Sequence, residues 1–304
     1  MSSERKPVFF IGCVQSSEVA LKTLLVRPEI EVVGVLTLQS STFNSDFVDI
    51  ATVAAEAGVL VYYAEETDEQ LLANILRKNE VKIVFTIGWS RLLGTSILKI
   101  PCFGFVGFHP AALPQNRGRH PLIWALALGL EQTASTLFIM DEEPDSGPIV
   151  SQKQILITPQ EDAQSLYNKI LAVLPEQINS IVDRLTTEDL KTVPQQSEYA
   201  TAWRKRGAPD GLIDWRMSAE AIYNLTRALT RPYIGAEFYY NKVLVKLWSC
   251  EVFTGDVPRN VEPGKVLQID DCGPVIKTGM GAGGGALRLL ETENFFNLQK
   301  GDYL

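Results

Sequence analysis

The chain has 304 residues, of which 46% are hydrophobic and 21% charged. This composition is typical of a globular protein and excludes collagen-like, disordered and membrane-bundle classes. With 36 acidic and 28 basic residues the net charge is −8, which disfavours extensive nucleic-acid binding, because a protein that binds a long polyanion normally carries a basic face. The length allows one large domain or two ordinary ones.

Cysteine and histidine usage argues against metal and disulfide scaffolds. Four cysteines lie far apart without a Cys-x-x-Cys pair, and the chain has only two histidines. We therefore expect no metal cofactor. No apolar stretch approaches the roughly 20 residues that a membrane span needs, and the amino terminus does not resemble a signal peptide. A cytoplasmic location without membrane contact is the resulting expectation.

The first two-thirds of the chain alternate short apolar runs with amphipathic stretches. Predicted strands lie at 8–12, 31–38, 59–63, 81–87, 103–108, 135–140 and 149–157. Predicted helices lie at 17–26, 46–57, 68–78, 121–130 and 162–185. Strands that alternate with helices of this length predict an α/β fold with βαβ units and a largely parallel, Rossmann-like sheet.

The character of the sequence changes at 186–210, which is polar, rich in turn residues and contains the basic run Arg204-Lys205-Arg206. One helix at 219–229 then precedes short strands at 236–240, 243–253, 264–269, 274–278 and 286–291. This pattern predicts a small, OB-like C-terminal β-barrel. The expected division is a catalytic domain at 1–190, a linker at 191–210 and a C-terminal domain at 211–304. The glycine-rich run at 281–285 opens no helix and indicates a hairpin turn.

The residues that could take part in a reaction cluster around one predicted strand end. His109 lies at the carboxyl end of a predicted central strand, where ligands collect in open parallel sheets. Asp145 follows another predicted strand, and a carboxylate beside an imidazole favours its charged form and fixes its orientation. Arg117 and Arg119 would add cationic donors. Taken singly, each residue has an equally good structural explanation. His109 could be a structural histidine, Asp145 could belong to an ordinary turn, and the two arginines could lie in a solvated loop.

Two longer runs are more specific: GFVGFHPAALPQNRGRHPLIWALALG at 104–129 and TASTLFIMDEEPDSGPIVSQ at 133–152. They resemble the 10-formyltetrahydrofolate-dependent formyltransferase family, whose pattern is His-x-small-Leu-Leu-Pro-x-x-Arg-Gly-x-x-Pro-x-x-Trp-Ala followed by an Asp-x-Gly loop. The segments 211–215, 224–229 and 232–236 resemble the start of the C-terminal domain of the family. The resemblance therefore covers nearly the whole chain.

This resemblance implies transfer of a formyl group from 10-formyltetrahydrofolate to an amine. His109 would be the catalytic histidine that donates to the oxyanion, and Asp145 would tune it and help to remove the amine proton. The implied folate contacts are Arg91, Leu92, Leu93, Arg119, Asp141, Glu142, Glu143 and Pro144. Candidates for the acceptor side are Asn116, Arg117 and Trp124, of which Trp124 fits a core position equally well.

One position departs from the family pattern. The third catalytic residue of the family is an asparagine two positions before the histidine, where this chain has Gly107. Loss of one oxyanion donor typically costs a factor of about 10²–10³ in rate. His109 could act with a water or a backbone N–H, Asn116 could supply the amide, or the chain could be an inactive folate- or nucleotide-binding relative. The presence of His109 and Asp145 favours an active enzyme. A glycine in a strand also marks the close approach of another group.

The acceptor amine is expected to belong to a UDP-linked amino sugar. The sequence resembles most the formyltransferases of bacterial surface-sugar pathways, such as those for nonulosonic acids including pseudaminic acid. Methionyl-tRNA is the alternative acceptor, but it calls for a basic track that this acidic chain lacks. Hydrolysis with release of formate and an NAD-linked reaction are further alternatives; the latter lacks its G-x-G-x-x-G fingerprint. The C-terminal barrel could hold a second ligand, form a homodimer contact or brace the first domain.

Overall fold

The computed structural model describes residues 5–41, 46–280, 285–293 and 297–304. Most of the predicted turn at 281–285 therefore lies outside the described residues. The chain divides into two compact units. The first comprises Met1–Pro121, Thr133–Ile155 and Asn168–Trp203, and the second comprises Leu122–Gln132, Leu156–Tyr167 and Arg204–Leu304.

The elements are numbered in chain order. The strands are β1 (Lys6–Ile11), β2 (Ile30–Thr37), β3 (Val61–Tyr63), β4 (Ile83–Thr86), β5 (Phe105–His109), β6 (Arg117–Gly118), β7 (Gln132–Ile139), β8 (Ile149–Leu156), β9 (Ala202–Trp203), β10 (Ala236–Tyr240), β11 (Val243–Val252), β12 (Val266–Asp270), β13 (Gly273–Lys277) and β14 (Ala286–Thr292). The helices are α1 (Gln15–Leu25), α2 (Ile50–Glu56), α3 (Glu69–Lys78), α4 (Thr95–Leu98), α5 (Pro121–Ala127), α6 (Ala163–Thr186) and α7 (Ala219–Leu229).

A seven-stranded sheet in the order β3-β2-β1-β4-β5-β7-β8 organises the first unit. Strands β1 to β5 are parallel to one another, and β7 runs antiparallel to β5. Successive residues of β1 pack on opposite faces: Val8 and Phe10 belong to one buried cluster, Phe9 and Ile11 to another. Because both faces are covered, the central strands are continuous apolar runs. The predicted Rossmann-like, largely parallel sheet is confirmed.

The second unit contains a five-stranded antiparallel sheet in the order β10-β11-β14-β13-β12. Helix α7 precedes it and is capped by Ser218, whose hydroxyl accepts a hydrogen bond from the Ala221 amide. Such an N-cap satisfies one of the amide groups left unpaired at a helix start. The predicted small β domain is thus confirmed, with β10 and β12 as the two ends of its strand order.

The described residues contain neither a candidate membrane-spanning helix nor a candidate group of metal ligands. No helix there is long and apolar enough to cross a membrane. Within the same residues, no three His, Cys, Asp or Glu side chains are grouped so that they could hold a metal ion.

Candidate active site

The candidate site lies in the first unit at the carboxyl end of β5. Strands β4 and β5 are parallel neighbours, with Thr86 opposite Gly107, so both strands end at the same edge of the sheet. His109 is the last residue of β5 and is only 5% exposed. The loop after β4 carries Arg91, and the loop after β5 leads to Asn116. Parallel strands therefore bring two of the predicted regions to one edge.

Two groups contact the His109 ring. Nε2 lies 2.7 Å from the backbone oxygen of Asn116, and Nδ1 lies 3.8 Å from Oδ2 of Asp145. A carbonyl oxygen only accepts hydrogen bonds, so Nε2 carries the proton of the neutral ring and Nδ1 carries the lone pair. The nitrogen that can take up a further proton is therefore Nδ1, which faces the carboxylate.

The strand direction and the loop that bring Asp145 close to His109 were not indicated by the sequence. The register pairs Val106 with Ile139 and His109 with Thr136, so the end of β7 lies beside the start of β5. Strand β7 therefore ends at the opposite edge of the sheet from His109, although the Asp145 and His109 side chains do meet. The loop at 140–148 instead returns toward His109, and the Gly118 amide donates to Asp145 Oδ2 at 2.9 Å.

The turn that holds Asp145 requires special backbone geometry. Asp145 has a φ of +60°, in the left-handed region that Asp and Asn enter more readily than most residues. A Cβ atom at Gly147 would lie 1.8 Å from the backbone oxygen of Ile139. Only glycine fits at that distance, which gives a physical reason for the Asp-x-Gly pattern of this loop.

Gly107 is closely covered by side chains of the neighbouring strand and loop. A Cβ atom at this position would lie 2.9 Å from both Met140 Cγ and Phe138 Cζ. An asparagine side chain would need these groups to move. Asn116, the alternative source of the missing amide, contacts His109 through its backbone oxygen and not through its side chain. Its side-chain Oδ1 lies 3.5 Å from Thr201 Oγ1.

We expect Gly107→Asn to destabilise the protein and not to raise kcat. Overpacking of a filled site typically costs about 1–3 kcal/mol. Urea unfolding measures the change. Gly207→Asn is the matched control, because a Cβ atom at Gly207 would lie 3.6 Å from its nearest neighbour, Pro209 Cδ, which is an ordinary van der Waals distance. A stable Gly107→Asn variant with a raised kcat would contradict the packing argument.

The two arginines of the loop after β5 differ in their surroundings. Arg117 donates from Nε and Nη2 to Oε1 of Gln195, at 3.2 and 2.8 Å. Arg119 is exposed, and its backbone amide donates to Trp203 in the pairing of β6 with β9. Gln195 lies in the segment predicted as a linker and was missed because a glutamine in a polar stretch carries no sequence signal.

The other predicted folate residues fall into two groups. Arg91, Leu92 and Leu93 line a cavity of about 140 Å³ together with Trp89, which the sequence analysis did not single out. The Trp89 indole N–H is buried and has no hydrogen-bond partner among the described residues. Exposed residues of the loop after β7 form the second group, in which the Asp141 carboxylate accepts from the Ser146 hydroxyl. These loop residues are Asp141, Glu142, Glu143 and Pro144.

Trp124 and the basic run belong to the second unit. The Trp124 indole N–H donates to the backbone oxygen of Arg204 at 3.0 Å, and the guanidinium carbons of Arg204 and Arg206 lie 5.4 and 4.7 Å from its ring centre. Arg204 also forms a two-point ion pair with Asp210, which holds the pKa of that carboxyl well below its usual range. Desolvation lowers the pKa of the half-buried Arg206.

Comparison with known proteins identifies the family. Residues 30–182 match the formyl transferase family, and residues 207–294 match the formyl transferase C-terminal domain. The chain belongs to the formyl transferase family.

Solved structures with low sequence identity share the fold. The N-formyltransferase from Helicobacter canadensis, in complex with folinic acid and dTDP-3-aminofucose, is 16% identical over 94% of this chain and 99% of its own, with a TM-score of 0.72. A 4-N formyltransferase from Francisella tularensis is 19% identical over 80% of this chain and 97% of its own, with a TM-score of 0.65. HypX from Aquifex aeolicus in complex with tetrahydrofolic acid is 18% identical over 96% of this chain but only 44% of its own, with a TM-score of 0.64.

Proposed function

We propose that this formyl transferase moves a formyl group from 10-formyltetrahydrofolate to the amine of a nucleotide-linked amino sugar. The observation that carries the proposal is the His109–Asp145 pair at the end of β5, with Nδ1 and Oδ2 separated by 3.8 Å. A buried ring whose accepting nitrogen faces a carboxylate is suited to exchange protons during acyl transfer.

The proposed reaction assigns one proton route to the ring. The neutral amine attacks the formyl carbon, a new C–N bond forms, and the bond from that carbon to N10 of the folate breaks. Nδ1 of His109 takes the proton that the amine loses and returns it to N10 as it leaves. Asp145 stabilises the transient imidazolium by its charge, and the Asn116 carbonyl keeps Nε2 protonated throughout.

For the formyl donor, the cavity after β4 provides a fitting environment. Its lining is mixed apolar and polar and includes Trp89, whose buried indole N–H has no hydrogen-bond partner among the described residues. A pterin ring is a flat heteroaromatic group with ring nitrogens and a carbonyl that can accept such a bond. The HypX and Helicobacter canadensis relatives in complex with folates support a folate donor here.

Trp89→Phe tests this use of the indole. We expect the KM for 10-formyltetrahydrofolate to rise about tenfold with kcat nearly unchanged, because the ring stays and only the donor is lost. Steady-state kinetics and titration with tetrahydrofolate measure the effect. Trp248→Phe is the matched control, because both indoles carry an arginine over the ring: the guanidinium carbon of Arg91 lies 5.8 Å from the Trp89 ring centre, and that of Arg231 lies 4.3 Å from the Trp248 ring centre. An unchanged KM would remove Trp89 from the folate site.

The choice of acceptor rests on charge and on the relatives. Binding of methionyl-tRNA would need free basic side chains, but the arginines of the run Arg204-Lys205-Arg206 already have partners. Arg204 pairs with Asp210, and both arginines lie over the Trp124 ring. Among the relatives of similar length, one is an N-formyltransferase in complex with dTDP-3-aminofucose and another is a 4-N formyltransferase. A UDP-linked 4-amino-4,6-dideoxy sugar of a nonulosonic acid pathway is the specific substrate that we propose from the sequence resemblance.

A turnover assay tests the proposal directly. Purified protein is mixed with 10-formyltetrahydrofolate and with UDP- or dTDP-linked 3-amino and 4-amino deoxy sugars, and tetrahydrofolate release is followed. We expect turnover with at least one sugar, and the nucleotide preference distinguishes UDP from dTDP acceptors. Efficient formylation of methionyl-tRNA with no turnover of any sugar would overturn the proposal. Folate binding without turnover of any acceptor would instead indicate an inactive relative.

Three further expectations stay predictions. They are the cytoplasmic location, a homodimer, and the domain division at 1–190, 191–210 and 211–304. Size-exclusion chromatography with light scattering tests the dimer.

A further inference from the structure

The segment at 193–203 is bound to both loops of the candidate site. Val193 and Ile149 exchange two backbone hydrogen bonds of 2.8 Å each, which place Gln195 beside the loop that carries Asp145. Further along, Thr201 Oγ1 accepts from the Asn116 amide at 2.9 Å, and β9 pairs in parallel with β6. A stretch of chain predicted to be a linker is thus fastened to the residues around His109.

The Gln195 side chain occupies the centre of this arrangement. Its Nε2 donates to the backbone oxygens of Asp145 and Gly147, at 2.8 and 2.7 Å. Its Oε1 accepts from Nε and Nη2 of Arg117, at 3.2 and 2.8 Å. Backbone oxygens only accept and a guanidinium only donates, so the chemistry permits one orientation of this amide. Both donors and both acceptor sites of the amide are used.

These bonds act on the residue that faces the histidine. Asp145 is held from two sides, by Gln195 at its backbone oxygen and by the Gly118 amide at Oδ2. Its left-handed backbone, with a φ of +60°, persists only where surrounding bonds enforce it. Arg117 ties Gln195 to the same β6 strand that supplies the Gly118 amide.

We propose that Gln195 is a positioning residue that fixes the Asp145 carboxylate at its distance from His109, and that Arg117 serves this arrangement by anchoring Gln195. The inference rests on the proposed function only in that Asp145 and His109 act in formyl transfer. It assigns to Arg117 a task other than the acceptor contact expected from the sequence.

Gln195→Glu is the most direct test. The substituted side chain keeps its length and its contact with Arg117, but it places a carboxylate against two backbone oxygens. We expect kcat to fall about 30- to 100-fold, while the KM values of both substrates change less than about threefold. Gln195→Met, which has a similar length and no charge, should lower kcat in the same sense. Gln196→Glu is the matched control, because Gln196 is exposed and adjacent.

A spectroscopic readout separates this inference from the proposed function. The chain has two histidines, so labelled histidine gives two sets of ring signals, which His120→Gln assigns. We expect the His109 ring signals to shift in Gln195→Glu and Gln195→Met but not in Gln196→Glu, with melting temperatures within a few degrees of wild type. Unshifted His109 signals, or a kcat within threefold of wild type in an active enzyme, would overturn the positioning role. A wild-type protein without turnover would overturn the proposed function, and the spectra would still decide the role of Gln195.

Discussion

His109→Gln is expected to lower kcat by about 10²–10⁴, which is the largest effect of any substitution considered for this protein. A glutamine side chain can still donate to the Asn116 carbonyl, which otherwise accepts from Nε2 at 2.7 Å. It cannot take up and return a proton, and that transfer is typically worth a factor of this size. His109→Ala is less informative, because it would also leave the Asn116 carbonyl unpaired at a cost of about 1–3 kcal/mol.

The measurement is single-turnover kinetics at saturating folate, with tetrahydrofolate binding determined in parallel. Binding should stay within a few-fold of wild type, since the His109 ring does not line the cavity that contains Trp89. His120→Gln is the matched control, because it makes the same substitution at the other histidine. A His109→Gln variant with more than a tenth of the wild-type kcat would show that the ring does not carry the proton.

The regular elements were predictable wherever apolar periodicity is strong. Helix α7 and strand β10 have the predicted bounds, and the ends of the central strands differ by one to three residues. The direction of β7 was not predictable, because a helix between two strands usually signals a parallel crossover. Here α5 intervenes, and the chain nevertheless returns antiparallel to β5.

The candidate site residues could be named from the sequence, but the contacts that hold them in place could not. His109 and Asp145 were identifiable from the family pattern, whereas their supporting residues depend on contacts between distant positions. Strands β6 and β9 have two residues each and no periodicity, yet their pairing joins Arg117 to Ala202. The packing of Phe138 over Gly107 likewise depends on the strand register. Such contacts carry no local sequence signal.

Asp145→Asn is expected to lower kcat by about 10²–10³ and to leave the fold intact. Asparagine tolerates the left-handed backbone at this position, and its Oδ1 can accept from the Gly118 amide as the carboxylate does. The substitution therefore removes the charge that faces His109 Nδ1 and little else. In the Asp145→Asn variant, the imidazolium formed during the reaction has no counter-charge beside it. The site is buried, so water screens this charge little, and kcat falls.

The control for this prediction is Asp189→Asn, an exposed carboxylate whose contact is a surface ion pair with Lys191 at 3.0 Å. Both variants are compared in kcat, in tetrahydrofolate binding and in urea unfolding. Exposed ion pairs contribute little, so Asp189→Asn should match wild type in all three. Equal kcat losses in the two variants would point to a general effect of charge. A loss confined to Asp145→Asn, with folate binding unchanged, would place the charge requirement at the carboxylate beside His109, because no other property of the protein would then have changed.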